Sequence, residues 1–247
     1  MAPDETHFFD RHYGKGLAWW EQAYFSGYKG EKMVGEKSAN YMYDPKVVQR
    51  IAVSLPQAKL VCCLRDPIER TYSHYIVRMR ERGERVRATT FLQAATPDSD
   101  LVQRGLYFKQ IKRFLEVFPQ EKLLITIYED KYIDPVGFIQ GIYEFLGIDS
   151  SFAPPSANLQ TKAGALEYRN KVWFAASKVL FHPQSPFAHV HALKALYSKI
   201  RPKWNILDVD EHSLKKLGQL FYTDITELEE FLSRDLRCWK AKVLITS

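Results

Sequence analysis

The sequence lacks the features that mark disulfide-rich, membrane-spanning and repetitive proteins. Its three cysteines, Cys62, Cys63 and Cys238, form an odd and clustered set that fits neither a disulfide framework nor a zinc site. No stretch approaches the roughly 20 apolar residues needed to cross a bilayer. No repeat or low-complexity tract is present, and the first residues do not resemble a secretory signal. We therefore expect reduced, structural cysteines and a cytoplasmic protein.

The composition that is present belongs to a folded domain. Hydrophobic residues make up 46% of the 247 residues and charged residues 26%, which excludes disorder, collagen and coiled coil. We expect a single domain over 1–247, long enough to fold without disulfides or a metal. Lysine and arginine exceed aspartate and glutamate by 35 − 29 = 6. This mild excess suits an anionic ligand, such as a nucleotide or an acidic glycan, or a membrane surface, without selecting one.

Alternating strand and helix signals predict an α/β fold with a central parallel sheet flanked by helices. Asp44 followed by Pro45 is a helix start, because aspartate caps the first turn and proline fits the first helical position. The helix should continue to residue 54. The apolar run over 59–64 predicts a strand buried on both faces of the sheet. Asp66 and Pro67 then begin a helix that should reach about Arg80.

The same patterns predict the other elements. Met33-Val34-Gly35 is interpreted as a short strand that ends before Glu36. The remaining predictions are an amphipathic helix over 106–118, a second central strand over 123–128, a helix over 135–146 with Gly147 as its C-cap, a turn-rich loop over 150–157, and one or two amphipathic helices over 210–232.

Residues 165–204 combine basic and aromatic side chains in a helical pattern. One interpretation is a peripheral membrane-surface contact or a nucleic-acid contact. The other is an ordinary helix with one solvated face and one packed face, which we favour. No nucleic-acid partner and no transmembrane segment are predicted.

Two polar motifs lie where strands are predicted to end, and ligands of open α/β sheets bind at the carboxyl ends of strands. Arg65 leaves the strand over 59–64, and Ser73 follows Asp66 by about two helical turns, on the same side. An arginine with a hydroxyl near a helix start suits a phosphate. The alternative is an arginine paired with neighbouring acids. Lys37 follows the short strand and would project into the same crevice, unless it is simply solvated.

A third motif lies near the start of the sequence. Glu5 and His7, followed by Phe8 and Phe9, suit a general base with a supporting imidazole beside an apolar wall. The alternative is a solvated glutamate and a packed histidine.

Four motifs in this order and spacing resemble the PAPS-dependent sulfotransferases, where PAPS is 3′-phosphoadenosine-5′-phosphosulfate. The most similar branch is the heparan-sulfate N- and 3-O-sulfotransferase domains with their bacterial relatives. The motifs are Glu5-Thr6-His7-Phe8-Phe9-Asp10, Gly16-Leu17-Ala18-Trp19-Trp20, Gly35-Glu36-Lys37-Ser38-Ala39-Asn40-Tyr41, and Leu64-Arg65-Asp66-Pro67 through Tyr72-Ser73-His74-Tyr75. The resemblance covers nearly the whole chain and is loosest over 165–205, which we interpret as a variable helical insertion.

The resemblance implies a P-loop-NTPase-like fold and transfer of a sulfuryl group from PAPS to a hydroxyl or amine of a carbohydrate or other hydroxylated small molecule, with no metal. It makes Glu5 the general base, places His7 beside it, and puts Lys37 near the sulfonate or the acceptor. Arg65 and Ser73 would bind the 3′-phosphate. Lys162 would contact the nucleotide, although the Thr161–Gly164 stretch has one residue more than the family's Lys-Gly loop.

The resemblance also implies a strand, a phosphate-binding loop and a helix before the Glu5 motif. Such a unit needs roughly 30 residues, and only four precede Glu5. We therefore expect the first strand and the phosphate loop to be missing. Two interpretations stay open: a sulfotransferase with a truncated start, or a catalytically impaired protein that binds nucleotide or glycan without transfer.

Overall fold

The computed structural model describes residues 5–82, 90–155 and 211–244. Lys162 and the predicted helical segment 165–205 lie outside these ranges. Two strands, β1 (Leu60–Leu64) and β2 (Leu123–Ile127), pair in parallel, with Leu60 opposite Leu123 and Leu64 opposite Ile127. A parallel pair needs a long crossover, which the helices between the strands supply. The predicted parallel pairing of these two strands is confirmed.

Helices make up most of the rest of the described chain. In chain order they are α1 (Leu17–Phe25), α2 (Pro45–Ser54), α3 (Pro67–Arg82), α4 (Phe91–Ala94), α5 (Asp100–Gln103), α6 (Tyr107–Leu115), α7 (Pro135–Leu146), α8 (Glu211–Leu232) and α9 (Arg237–Leu244). Shorter helical turns span Phe8–His12, Tyr13–Lys15, Gln120–Lys122 and Tyr128–Tyr132. Within the described ranges, none of these helices is long and apolar enough to span a membrane.

Capping residues mark the helix ends where the sequence predicts them. The Asp44 carboxylate accepts a hydrogen bond from the Lys46 backbone N–H at 2.9 Å, and Pro45 occupies the first position of α2. At the end of α7, Gly147 adopts a φ of 75°. This left-handed conformation suits glycine, which has no Cβ to clash with the backbone. The local cap signals therefore determine these boundaries.

Two predictions about strands are wrong. Met33-Val34-Gly35 forms no strand, and the side chains of Met33 and Val34 are exposed. This short run has no pairing partner among the described strands, so nothing stabilises an extended conformation there. Strand β1 is not buried on both faces, since Val61 and Cys63 are exposed while Leu64 is buried. The side of β1 that carries Leu60, Cys62 and Leu64 is half-buried or buried, and the other side is exposed.

The core that supports the site lies around α8, which is one helix over the predicted range. Leu217, Phe221, Ile225 and Leu228 recur at helical spacing on α8 and are fully buried. The Asp224 carboxylate, also buried, accepts hydrogen bonds at 3.0 Å from the backbone N–H groups at the start of α6. These N–H groups have no partner within their own helix. Asp224 therefore fixes where α6 begins.

Helix α6 in turn fixes the segment that carries the Lys37 motif. The Arg113 guanidinium donates hydrogen bonds at 3.0 Å to the carbonyls of Met42 and Tyr43. Helix α6, which packs on α8, therefore holds residues 42–43 in place, directly after Tyr41.

Candidate active site

An aromatic cluster anchors the segment that carries Glu5 and His7. The fully buried Phe8 ring stacks on Trp20 of α1, with centroids 5.2 Å apart and an interplanar angle of 22°. Phe9 meets the edge of Trp20 at 5.7 Å and of Tyr41 at 5.6 Å. Burial of such large rings contributes much of the energy of local packing. The two phenylalanines therefore hold the polar residues before them at a defined place.

Thr6 joins the first motif to the Gly35–Tyr41 motif. Its buried hydroxyl donates a hydrogen bond to Glu36 Oε2 at 2.7 Å and accepts one from Trp20 Nε1 at 3.1 Å. Ser38 adds a second link, because its hydroxyl donates to Glu36 at 3.1 Å and accepts from the His7 backbone N–H at 3.1 Å. Two segments distant in sequence are thereby held side by side.

Tyr41 completes this polar network. Its hydroxyl accepts a hydrogen bond from the Phe9 backbone N–H at 3.1 Å. Burial, and next the hydrogen bond with Glu36, raise the pKa of Tyr41 to about 12. The phenol therefore stays neutral at physiological pH, as a structural part of the network.

Four charged or titratable residues meet on this support and form what we call the acid–base cluster: Glu5, His7, Asp10 and Lys37. One oxygen of Glu5 lies 3.8 Å from Lys37 Nζ, and the other lies 3.4 Å from His7 Nε2. His7 Nδ1 is 3.1 Å from Asp10 Oδ2. The exposed fraction of the side chains falls from 73% at Lys37 to 1% at Asp10. A carboxylate backed by an imidazole and a second carboxylate is suited to taking up a proton.

His7 has an unusual backbone conformation. Its φ of 49° and ψ of 28° lie in the left-handed region of backbone conformation, which residues other than glycine seldom adopt. Two hydrogen bonds hold this conformation. The His7 N–H donates to the Ser38 hydroxyl, and the His7 carbonyl accepts a bond from the Arg11 N–H at 2.9 Å. Such strained residues are concentrated at functional sites.

Arg65 lies at the carboxyl end of β1, as predicted. Its Nη2 donates to Glu69 Oε2 at 2.9 Å, and its guanidinium sits 5.7 Å from the Tyr128 ring centre. The next residue, Asp66, caps α3 by accepting from the Ile68 N–H at 2.8 Å. The ends of β1 and β2 meet here, because the Asp66 N–H donates to Glu129 Oε1 at 3.0 Å. Burial of the Glu129 side chain is the main reason why its pKa is raised above the usual value for glutamate.

Ser73 lies on the helix that follows Arg65, whereas Lys37 lies in another part of the chain and contacts Glu5. Ser73 is half-buried on α3, whose span places it about two turns beyond Asp66. Lys37 follows an irregular segment, not a strand, and its ion pair is with Glu5, whereas Arg65 pairs with Glu69. The predicted residues therefore fall into two groups among the described contacts, the acid–base cluster and the Arg65 group.

The sequence reasoning assigned no role to Asp10, Thr6 or Glu36. Asp10 had a detectable signal, since it follows His7 by three residues, and that spacing puts two side chains on one helical face. The contact of Thr6 with Glu36 joins distant segments and has no local signal.

Comparisons with known proteins show which family this chain resembles. Residues 2–176 match the family described as "Sulfotransferase domain". The mouse (Mus musculus) heparan sulfate glucosamine 3-O-sulfotransferase 3B1 is 31% identical over 150 residues, which is 58% of this chain and 38% of that protein. The mouse bifunctional heparan sulfate N-deacetylase/N-sulfotransferase 4 is 28% identical over 158 residues, 59% of this chain and 18% of that protein. The chain thus spans less than half the length of these relatives.

A solved structure agrees over a wider range. A sulfotransferase from Alicyclobacillus acidocaldarius matches with a TM-score of 0.67 and 20% sequence identity, covering 97% of this chain and 87% of that one. This likeness confirms the predicted α/β, P-loop-NTPase-like fold class. Together with the match over residues 2–176 it shows that the chain belongs to the sulfotransferase family.

Proposed function

We propose that the chain transfers a sulfuryl group from PAPS to a hydroxyl or amine of a carbohydrate or another hydroxylated acceptor. The observation that carries the proposal is the acid–base cluster, in which Glu5 lies between Lys37 Nζ at 3.8 Å and His7 Nε2 at 3.4 Å. Relatives whose names specify heparan sulfate glucosamine support a carbohydrate acceptor.

On the acceptor side, Glu5 is the proposed general base. Its carboxylate takes the proton as the acceptor oxygen or nitrogen forms a bond to sulfur. The bond from sulfur to the phosphate oxygen breaks, and adenosine 3′,5′-bisphosphate leaves with that electron pair. The Lys37 ammonium, largely exposed beside Glu5, stabilises the negative charge of the sulfonate during transfer. His7 and Asp10 support Glu5 from its buried side.

On the donor side, Arg65 and Ser73 are the proposed ligands of the 3′-phosphate. Arg65 is 30% exposed at the strand end and uses Nη2 for Glu69, so its fork has further N–H donors to offer. Guanidinium groups bind phosphate through paired hydrogen bonds, and the start of α3 adds a favourable dipole. Lys162 stays a proposed further contact with the nucleotide.

The test is a transfer assay with radiolabelled PAPS and an acceptor panel that includes heparan sulfate, N-desulfated heparan sulfate and simple hydroxylated sugars. We expect transfer by the wild type and none by Glu5→Gln, with nucleotide affinity unchanged because the 3′-phosphate is assigned to Arg65 and Ser73. Glu21→Gln, at an exposed position of α1, is the matched control and should retain turnover. Nucleotide binding without transfer to any acceptor would instead support the alternative, a catalytically impaired binding protein.

A further inference from the structure

Asp10 is a buried carboxylate held between His7 and Asn40. Its side chain is 1% exposed, and its Oδ2 atom lies 3.1 Å from His7 Nδ1 and 2.8 Å from Asn40 Nδ2. Arg11 Nε is 3.6 Å from the same oxygen but extends into solvent. A buried carboxylate is stable only when hydrogen bonds satisfy it, so the short bond from the Asn40 amide matters to it.

We propose that Asn40 is a positioning residue that fixes the Asp10 carboxylate and, through it, the tautomer and orientation of the His7 ring. The proposal deepens the proposed function and rests on it for the role of the acid–base cluster in transfer. Asn40 itself touches neither Glu5 nor the reacting groups in the described contacts; it acts through Asp10.

The bond to Asp10 determines which ring nitrogen of His7 carries the proton. A carboxylate oxygen only accepts hydrogen bonds, so Nδ1 carries the hydrogen when His7 bonds to Asp10. In the neutral ring, Nε2 then presents a lone pair toward Glu5, 3.4 Å away. Once Glu5 has taken the proton of the acceptor, the Nε2 lone pair can accept this proton or stabilise the protonated Glu5 carboxyl through a hydrogen bond. A rotated Asp10 carboxylate would release Nδ1 and lose this arrangement.

The rest of the fold holds Asn40 independently of Asp10. Its backbone carbonyl accepts hydrogen bonds at 3.1 Å from the N–H groups of Tyr43 and Asp44, in the turn that leads into α2. Arg113 of α6 fixes the carbonyls of Met42 and Tyr43 in the same turn. The amide is thus presented from a turn that backbone hydrogen bonds and Arg113 hold in place, as a group that orients a catalytic side chain requires.

The ring tautomer is measured directly by NMR of nitrogen-labelled protein in alkaline buffer, where imidazoles are neutral. The His7 signal is assigned by its loss in His7→Gln. We expect the Nδ1–H form to dominate in the wild type. Asn40→Ala should shift the ring toward the Nε2–H form, because the Asp10 carboxylate loses the donor that holds it at 2.8 Å and can turn away from Nδ1.

The variant Asp44→Ala tests whether loosening the turn around Asn40 is enough to move the His7 tautomer. This variant removes the N-cap of α2 next to Asn40 but leaves every side chain of the acid–base cluster in place. It should lower the melting temperature without moving the His7 tautomer. An unchanged tautomer in Asn40→Ala, or an equal shift in Asp44→Ala, would overturn the proposal.

Transfer kinetics give a second measurement. We expect kcat of Asn40→Ala to fall by at least about tenfold, which is the lower end of the loss seen when a residue that orients a metal-binding histidine is removed, with KM for PAPS unchanged. An unchanged kcat overturns the positioning role even if the tautomer moves. A wild type without turnover contradicts the proposed function, whereas the tautomer measurement still tests the link from Asn40 to His7.

Discussion

Lys37 Nζ lies 3.8 Å from Glu5 Oε1, although the two residues belong to different motifs. No secondary-structure element carries both side chains. They meet because the Thr6 hydroxyl binds Glu36, and Ser38 binds the His7 backbone. Because the Lys37 side chain is 73% exposed, its ammonium is accessible to the sulfonate of the proposed donor, while the other oxygen of Glu5 lies 3.4 Å from His7.

Replacement of Lys37 by alanine should therefore reduce transfer far more than nucleotide binding. If its ammonium stabilises charge that develops on the sulfonate, we expect kcat to fall by about 100-fold, the usual loss for one such group. Lys46→Ala, on the exposed face of α2, is the matched control. Equal kcat values for the two variants would contradict the role given to Lys37.

Arg65→Ala should weaken the binding of adenosine 3′,5′-bisphosphate. Loss of a charge-assisted hydrogen bond costs about 1.5–3 kcal/mol, which corresponds to roughly a 10- to 100-fold higher Kd. Isothermal titration calorimetry measures this directly. Arg237→Ala is the control, since Arg237 is 83% exposed and its ion pair with Asp235 lies outside the proposed site. The 3′-phosphate assignment is wrong if both variants bind as the wild type does.

The parts of the fold that the sequence predicts correctly depend on local chemistry. Asp44 and Pro45 mark the start of α2, and Gly147 marks the end of α7, because caps act within one turn. The burial of β1 and the state of Met33-Val34-Gly35 depend on which neighbours cover them. An apolar run alone does not specify those neighbours, so both strand predictions failed there.

The contacts of the candidate site are likewise of two kinds, those that local sequence predicts and those that depend on packing between distant segments. Glu5 and His7 are close in sequence, and their contact could be predicted. Asp10 lies one helical turn from His7 and could have been found by its spacing. The bonds from Thr6 to Glu36 and from Asn40 to Asp10 cross between segments, and they depend on the packing of Phe8 and Phe9 against Trp20 and Tyr41. No local pattern encodes that packing.

Thr6→Val should destabilise the whole fold. Valine has nearly the shape of threonine but lacks the hydroxyl that accepts hydrogen bonds from Trp20 Nε1 at 3.1 Å and from the Phe8 backbone N–H at 3.2 Å, so both donors lose this partner. Each buried polar group left unpaired costs about 1–3 kcal/mol, so we expect the free energy of unfolding in urea to drop by about 3 kcal/mol. Thr226→Val is the control, because Thr226 is half-buried on α8 and its hydroxyl donates to the Tyr222 carbonyl of the same helix at 2.9 Å, away from the Thr6 network. A similar loss in both variants would mean that the Thr6 network contributes nothing specific.

His74 should make the fold sensitive to mild acid. Burial, followed by the positive charges of Arg78, Arg70 and Arg104, lowers the pKa of His74 from 6.5 to about 4, against the opposing effect of Asp100. Between these two pH values the unfolded chain binds the proton and the folded protein does not. The free energy of unfolding must therefore decrease as the pH falls from about 6.5 toward about 4.

The variant His74→Asn removes this contribution while keeping a polar side chain of similar size. Urea unfolding of both proteins at several pH values isolates it, because every other titrating group is common to the two. We expect the stability of the wild type relative to the variant to fall steadily as the pH is lowered through this window. Parallel curves for the two proteins would show that His74 binds its proton equally well in the folded and unfolded states, and that the three arginines do not suppress its charge.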